Sequence, residues 1–181
     1  PSNPYDAKGL MKASILLDAP GIFEEHKGHY RRPDLRTTLP KEDYVVPIGR
    51  AATVREGDAL TIVTYGMMVH RSLAAAAVLA AEGIEVEVID LRTLLPLDDD
   101  HVVESLRRTG RLLIVHEDTR TGGIAGEIAM RVNERAFEWL DGPILRVTAD
   151  DSPVPFAAEL EDAFLPSDDD IADAARRLAA Y

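Results

Sequence analysis

The chain has 181 residues, 46% of them hydrophobic, with 32 acidic against 20 basic side chains and a net charge of −12. That length suits one domain, or one domain with a fragment of another, and the acidic balance argues against a nucleic-acid partner, which needs a clustered basic face. The lack of cysteine removes disulfides, thiol catalysis and thiolate–zinc sites. No apolar run reaches the roughly 18–20 residues of a membrane span, and no basic stretch leads into an apolar one at the start, so a cytoplasmic location is expected.

Residues 5–17 read as a helix with Leu10, Ser14 and Leu17 on one face and Asp6 as N-cap, broken at Pro20-Gly21. Ile22 to Lys27 reads as a strand, and the polar stretch from Tyr30 to Asp43, with Pro33 and Pro40, as a linker. A helix and one strand build no core alone, so residues 1–42 are expected to be the tail of an upstream domain plus linker, and residues 43–181 a domain of their own. Tyr44 to Gly49 resumes β character as an edge strand, because Pro47 lacks the donor a central ladder needs.

Residues 51–58 turn into a first central strand, Leu60 to Tyr65. Met67 to Glu82 follows as a helix with a narrow stripe of Val69, Leu73, Ala76, Ala77 and Ala80, stopped by Gly83. Val86 to Leu91 is the next strand. Asp98 to Asp100 open a helix with Arg107 and Arg108 at its other end, the charge order a helix dipole favours, and Thr109-Gly110 closes it. After the strand Leu112 to Val115, a long helix runs from Ile124 to Leu140 with Ile128, Val132, Ala136 and Trp139 along one side. Pro143 to Thr148 is a further parallel strand and Asp151 to Leu165 a Pro-rich loop. Ser167 with Asp170 forms a capping box for a last helix that turns Ile171, Ala175 and Leu178 inward. Strand–helix alternation at this pitch predicts a three-layer α/β/α fold: a mostly parallel sheet of about five strands, with one antiparallel edge strand.

Parallel sheets place their chemistry at the strands' carboxyl ends. Those ends carry Tyr65-Gly66, Asp90 with Arg92, and His116-Glu117-Asp118. Tyr65, Arg92, His116 and Glu117 are the candidates for a functional rim, as contact residues rather than catalysts. Successive strand residues alternate faces, so at most two of the 116–118 trio converge. There is no GxSxG elbow and no HExxH pair. Gly122-Gly123, ahead of a helix, reads as a close backbone approach within the domain or across a dimer contact, with an anion cradle as the sharper alternative. His26 and His29 need not point together at their spacing, and His70 and His101, at helix starts, are expected in solvent. No residue of the chain is assigned as catalytic.

A set of short motifs recurs in fixed order: Pro4-Tyr-Asp-Ala-Lys-Gly-Leu10, Phe23-Glu-Glu-His-Lys27, Val46-Pro-Ile-Gly49, Val63-Thr-Tyr-Gly66, Val88-Ile-Asp-Leu-Arg-Thr93, Thr109-Gly-Arg-Leu112, Val115-His-Glu117, Thr121-Gly-Gly123 and Pro153-Val-Pro-Phe156. Together they resemble the carboxyl-terminal half of the beta subunit of thiamine-diphosphate-dependent 2-oxo acid dehydrogenases, of the pyruvate, branched-chain and acetoin type. The resemblance implies a transketolase carboxyl-terminal domain within an enzyme that oxidatively decarboxylates a 2-oxo acid and passes the acyl group to lipoamide. In that family the alpha subunit holds thiamine diphosphate and Mg2+ through a Gly-Asp-Gly motif, and the amino-terminal half of the beta subunit supplies a glutamate. Neither is identifiable in this chain, which is therefore expected to be inactive alone and to serve assembly and active-site framing. The implied partners are an alpha subunit, a second beta subunit reached through residues 119–140, and the basic subunit-binding domain of an acyltransferase core. The resemblance also implies a structural K+ held by the backbone carbonyls of Ser14, Ile15, Leu17 and Ala19. The alternatives are a stand-alone interaction module, or the same domain in an enzyme of the transketolase or deoxyxylulose-phosphate synthase type.

Overall fold

Two β runs of five residues, Leu60–Thr64 (β2) and Val86–Asp90 (β3), are buried at every position, as strands covered on both faces must be. In the computed structural model, which describes residues 1–181, they lie at the centre of a five-stranded sheet. The other strands are Ala52–Arg55 (β1), Leu112–Thr119 (β4) and Leu145–Ala149 (β5). The order is β1-β3-β2-β4-β5, with β1 antiparallel to β3 and every other pair parallel. This is the expected architecture, with one change of detail. The antiparallel edge is built by Ala52–Arg55, inside the predicted turn, while Tyr44–Gly49 and Ile22–Lys27 form no strand. In place of a strand and plain linker, residues 27–31 and 33–35 make two short 3-10 turns.

The sheet separates two cores by side-chain parity. Leu60, Ile62, Val86, Val88, Leu113 and Val115 face the helices Met67–Ala81 (α2) and Asp168–Ala179 (α6). Val63, Ile89, Leu112 and Ile114 face Asp99–Thr109 (α3) and Ala125–Ala136 (α4). Side chains of a strand alternate between faces, and each fully buried aliphatic contributes about 1.5–3 kcal/mol. The packed stripe of α2 is Met68, Val69, Ser72, Ala75, Ala76 and Leu79. It differs from the expected one because α2 is wedged between β3 and α6 and so buries a wider arc than a single stripe.

Helix ends follow their capping residues. Asp98 caps α3, accepting from the His101 N–H, and Gly110 closes it in the left-handed region. Ser167 and Asp170 form the full capping box of α6. The first helix, α1 (Pro4–Leu16), is capped by Asn3 rather than Asp6. Asp6 is instead buried, and Leu17 lies outside the helix and half exposed. The long predicted helix ends at Ala136, with a 3-10 turn over Phe137–Trp139, and the Pro-rich loop contains a short helix, Ala158–Phe164 (α5). No helix is long and apolar enough to cross a membrane.

One buried charge sits inside the second core. Glu87 on β3 accepts a hydrogen bond from Thr61 Oγ1 (2.9 Å) and pairs with the half-exposed Arg108. A carboxylate without such partners would not be tolerated there.

Candidate functional site

The chain passes from β2 to β3 on one side and from β3 to β4 on the other, so the connection reverses direction between β2 and β4. Open α/β sheets bind ligands outside the strand ends at such a reversal. Here β2 ends in Tyr65 and Gly66. Gly66 adopts a left-handed φ of +59° to start α2, a conformation glycine enters without strain. Strand β4 outruns its partner: pairing with β2 ends at Ile114, and His116, Glu117 and Asp118 continue beyond it.

Three predicted residues, Tyr65, His116 and Gly123, converge there on one face of the sheet. Tyr65 and His116 stack with centroids 6.5 Å apart. Gly123 lies against the His116 ring, so close that a Cβ at that position would sit 2.5 Å from Cε1. Glu117, on the opposite face of the strand, reaches back toward Gly66, and its Oε2 lies 3.2 Å from His26 Nε2. Gly122 has a left-handed φ of +81° with open space around it. His116 is completely buried and neither ring nitrogen has a hydrogen-bond partner within the chain.

Arg92 does not join them. It sits beyond the end of β3 at φ +59°, an uncommon conformation for a side chain of its size, and pairs with buried Asp6 of α1 at 2.9 Å. Its backbone N–H donates to Asp90 Oδ1 (2.9 Å), while Ser2 Oγ donates to Asp90 Oδ2 (2.5 Å). Arg92 is thus a clasp between α1 and the sheet.

The histidines behave differently from expectation. The rings of His26 and His29 lie 5.0 Å apart, and His29 meets His70 edge-on at 5.4 Å. His70 Nε2 is 2.7 Å from the Ser2 carbonyl oxygen, and His101 Nε2 is 2.9 Å from Thr53 Oγ1, so neither is simply solvated. The trio forms because residues 22–35 fold back over the start of α2, a long-range contact that no local spacing signals. It does not form a metal pocket: both His26 nitrogens are engaged, by Glu117 and by the Gly28 N–H, and no group of three His, Asp or Glu reaches metal-holding geometry.

The electrostatics keep this rim neutral at its centre. Burial, then Asp118, Glu117 and Glu24, push the Tyr65 phenol up to about 12. Burial lowers His116, against the pull of Asp118. Burial, then His26 and His70, hold His29 at about 4. Near neutral pH the site therefore presents a protonated Tyr65 phenol and uncharged His116 and His29 imidazoles. It contains no nucleophile hydrogen-bonded to a base. Such a set can frame a ligand or a neighbouring polypeptide by hydrogen bonding.

Burial pushes the Asp90 carboxyl above the usual carboxylate range and Asp6 adds to the rise, while the Ser2 and Arg92 hydrogen bonds oppose it. A carboxyl raised by folding binds its proton more tightly in the folded chain. Its contribution is full below the unfolded value of about 3.9 and is lost as pH rises through the folded value. Asp90→Asn is therefore expected to be more stable than the parent at about pH 7, the gap closing as pH falls toward about 4. Urea midpoints across that range check it; a gap independent of pH would contradict it.

Comparison with known proteins agrees with this fold. The family described as "Transketolase, C-terminal domain" matches residues 49–171. The beta subunit of 2-oxoisovalerate dehydrogenase from Bacillus subtilis is 43% identical over 182 aligned residues, covering 100% of this chain and 55% of the relative. The beta subunit of acetoin:2,6-dichlorophenolindophenol oxidoreductase from Cupriavidus necator is 49% identical over 98% of this chain and 52% of its own length. The beta subunit of the pyruvate dehydrogenase E1 component from Bacillus subtilis is 42% identical over 100% of this chain and 55% of its own length. The chain thus spans about half the length of the curated relatives it matches. Among solved structures, a split-gene transketolase described as an inactive beta4 tetramer superposes with a TM-score of 0.64 at 30% identity, over 76% of this chain and 44% of that one. A Pichia stipitis transketolase mutant, at 16% identity and a TM-score of 0.51, shares the fold. With more than half of its residues matched by that domain and the sheet intact, the chain belongs to the transketolase C-terminal domain family.

Proposed function

We propose that the chain is the carboxyl-terminal part of a 2-oxo acid dehydrogenase beta subunit, serving subunit assembly and active-site framing within an enzyme that oxidatively decarboxylates a 2-oxo acid and passes the acyl group to lipoamide. The observation that carries this reading is the match, along 98–100% of this chain at 42–49% identity, to the beta subunits of a 2-oxoisovalerate dehydrogenase, a pyruvate dehydrogenase E1 component and an acetoin oxidoreductase. In this reading residues 1–42 are the tail of the preceding domain and residues 43–181 the transketolase-like domain. The protein works in the cytoplasm with an alpha subunit, a second beta subunit and the subunit-binding domain of an acyltransferase core.

The residues of this chain do not by themselves fit thiamine diphosphate and Mg2+. There is no Gly-Asp-Gly in the sequence, and the carboxylates of the rim form no cation-holding group. Tyr65, His116, Glu117, Gly122 and Gly123 are the side of the frame this chain supplies; Arg92 acts indirectly, by fixing α1. For K+, the carbonyls of Ile15, Leu17 and Ala19 accept no backbone hydrogen bond, while that of Ser14 receives the Leu17 N–H. Neutral oxygens of this kind suit a hard cation. Pairing with a second beta subunit is supported by the outer face of α4, where Gly126 opens onto empty space and Met130 and Phe137 are exposed.

The full-length protein mixed with its alpha subunit, thiamine diphosphate and Mg2+ is expected to turn over a 2-oxo acid, and the 181-residue chain under the same conditions to give only the blank rate. Turnover by the chain alone would refute the framing role. A full-length protein that turns over no 2-oxo acid with its alpha subunit would count against this reading and favour the transketolase type, the alternative to which the split-gene transketolase likeness points.

A further inference from the structure

The other completely buried ionisable side chains of the fold, Glu87 and Asp90, have partners: Thr61 and Arg108 for the first, Ser2 and the Arg92 N–H for the second. His116 is as deeply buried, and neither of its nitrogens has one. A neutral imidazole has one N–H donor, which must stay unpaired in such a pocket. The protonated ring has two donors and a charge, and the pocket offers them no acceptor. The Asp118 backbone favours the charged ring but meets neither nitrogen in hydrogen-bond geometry.

What closes the pocket is the turn from β4 to α4. Gly123 rests on the edge of the ring, where a Cβ would fall 2.5 Å from Cε1 and 2.9 Å from Nε2. Arg120, Thr121 and Gly122 are exposed, Gly122 stands at φ +81° in open space, and α4 begins without a side-chain cap. Thr121 ties the turn to Asp151 through its N–H (2.7 Å) and hydroxyl (2.6 Å). A turn held from the outside in this way can swing off the ring and leave the sheet intact. The ionisable groups around the ring are few. Tyr65 faces it from the end of β2, Asp118 follows it on β4 and favours its proton, and Arg146 on β5 opposes it. Glu117 points to the other face, toward His26. Arg120 lines a groove with Arg146, and Glu127 of α4 is paired with Arg131.

We infer that the turn Arg120 to Ile124 is a proton-driven latch, closed over a neutral His116 and released when acid places a proton on that ring. The open form takes the proton with the ordinary imidazole value of about 6.5. Each pH unit below that value therefore multiplies the open population about tenfold, until the closed form is protonated as well. The latch sets the order of the first turn of α4, beside the outer face that carries Gly126 and Met130, so acid loosens whatever that face binds. The inference stands on the pocket and the turn and does not depend on the enzymatic reading.

The test is amide hydrogen exchange on the full-length protein, read by mass spectrometry from about pH 7.5 to about pH 5 and corrected at each pH for the intrinsic rate. The reporting amides are those of Thr121, Gly126 and Ile128, which donate to Asp151, Gly123 and Ile124 when the turn is closed. Their protection is expected to fall about tenfold per pH unit below about 6.5, while that of β2 and β3 stays constant. Asp151 adds no slope of its own, because the Thr121 hydrogen bonds hold its carboxyl below the usual range and it stays charged throughout. His116→Phe fills the pocket but takes no proton and should abolish the slope; His116→Leu carries the same test where phenylalanine is not tolerated. His26→Gln, which removes another imidazole from the same rim, should leave the slope unchanged. Protection that does not vary with pH in the native protein, a slope that survives substitution of His116 or vanishes with that of His26, or an equal slope in β2 and β3 would each overturn the latch. The native slope, confined to this turn, decides even where neither variant at position 116 folds.

Discussion

Replacing Asp6 by alanine is expected to cost about 3–5 kcal/mol, the usual loss when one partner of a buried ion pair is removed and the other remains. Asp6 is 1% exposed and holds Arg92 at 2.9 Å. The contact is ionic rather than an aligned hydrogen bond, and Arg92 Nε is buried with no acceptor of its own, so the carboxylate is what balances the guanidinium. Asp6 also accepts from the Asn3 side chain (2.7 Å), linking the clasp to the cap of α1. At 2–4 °C per kcal/mol for a chain of this size, the midpoint of thermal unfolding should fall by roughly 10 °C. Arg92→Gly should lose about 1 kcal/mol less than Arg92→Ala, because glycine accepts the left-handed backbone that Arg92 is forced to adopt. Calorimetry on the set decides it: a loss below about 1 kcal/mol for Asp6→Ala would mean that the pair is solvated and contributes as little as a surface bridge.

Gly57→Ala is expected to be nearly as damaging, about 3 kcal/mol, for a different reason. Gly57 lies in the turn from β1 to β2, pressed on the beginning of β3. A Cβ there would fall 2.3 Å from the Val86 carbonyl carbon, 2.4 Å from the Glu87 nitrogen and 2.6 Å from the Glu85 oxygen. All three are backbone atoms at or just before the start of a central strand, so no side-chain rotation relieves the clash and the strand or the turn must move. The movement would break the hydrogen bonds that the Asp58 and Ala59 N–H groups donate to the Glu85 oxygen at 3.0 and 2.9 Å. Gly83→Ala is the matched comparison: its φ of +83° carries strain but nothing lies within 4 Å, so it should cost only about 1 kcal/mol. Equal losses at the two positions would show that the turn yields and that the contact at Gly57 costs no more than the backbone strain at Gly83.

How much of this was readable beforehand depended on range. The central strands, the caps at Asp98, Gly110 and Ser167, and the inward face of α6 were legible because each is dictated within a few residues, by apolar runs or capping chemistry. Tyr65 and His116 were legible as a pair because strand ends converge once the sheet is parallel. The antiparallel edge strand was misplaced because two short β-like runs compete near Pro47, and pairing to β3 alone selects Ala52–Arg55. Arg92 as a clasp and the His26–His29–His70 contact were not legible. Each joins residues far apart in the chain, His26 to Glu117 across 91 positions, and nothing in local spacing foretells such contacts.

The sheet is also a partition. Ile171 belongs to the core under α2 and α6, and Ile128 to the core under α3 and α4, and the two clusters share no side chain. Trimming either isoleucine to valine should cost about 0.5–1.5 kcal/mol, and the double substitution should cost their simple sum, since sites without common neighbours do not couple. Each half of this sandwich can then drift in sequence on its own, so relatives can differ widely in one interior while the opposite one stays unchanged.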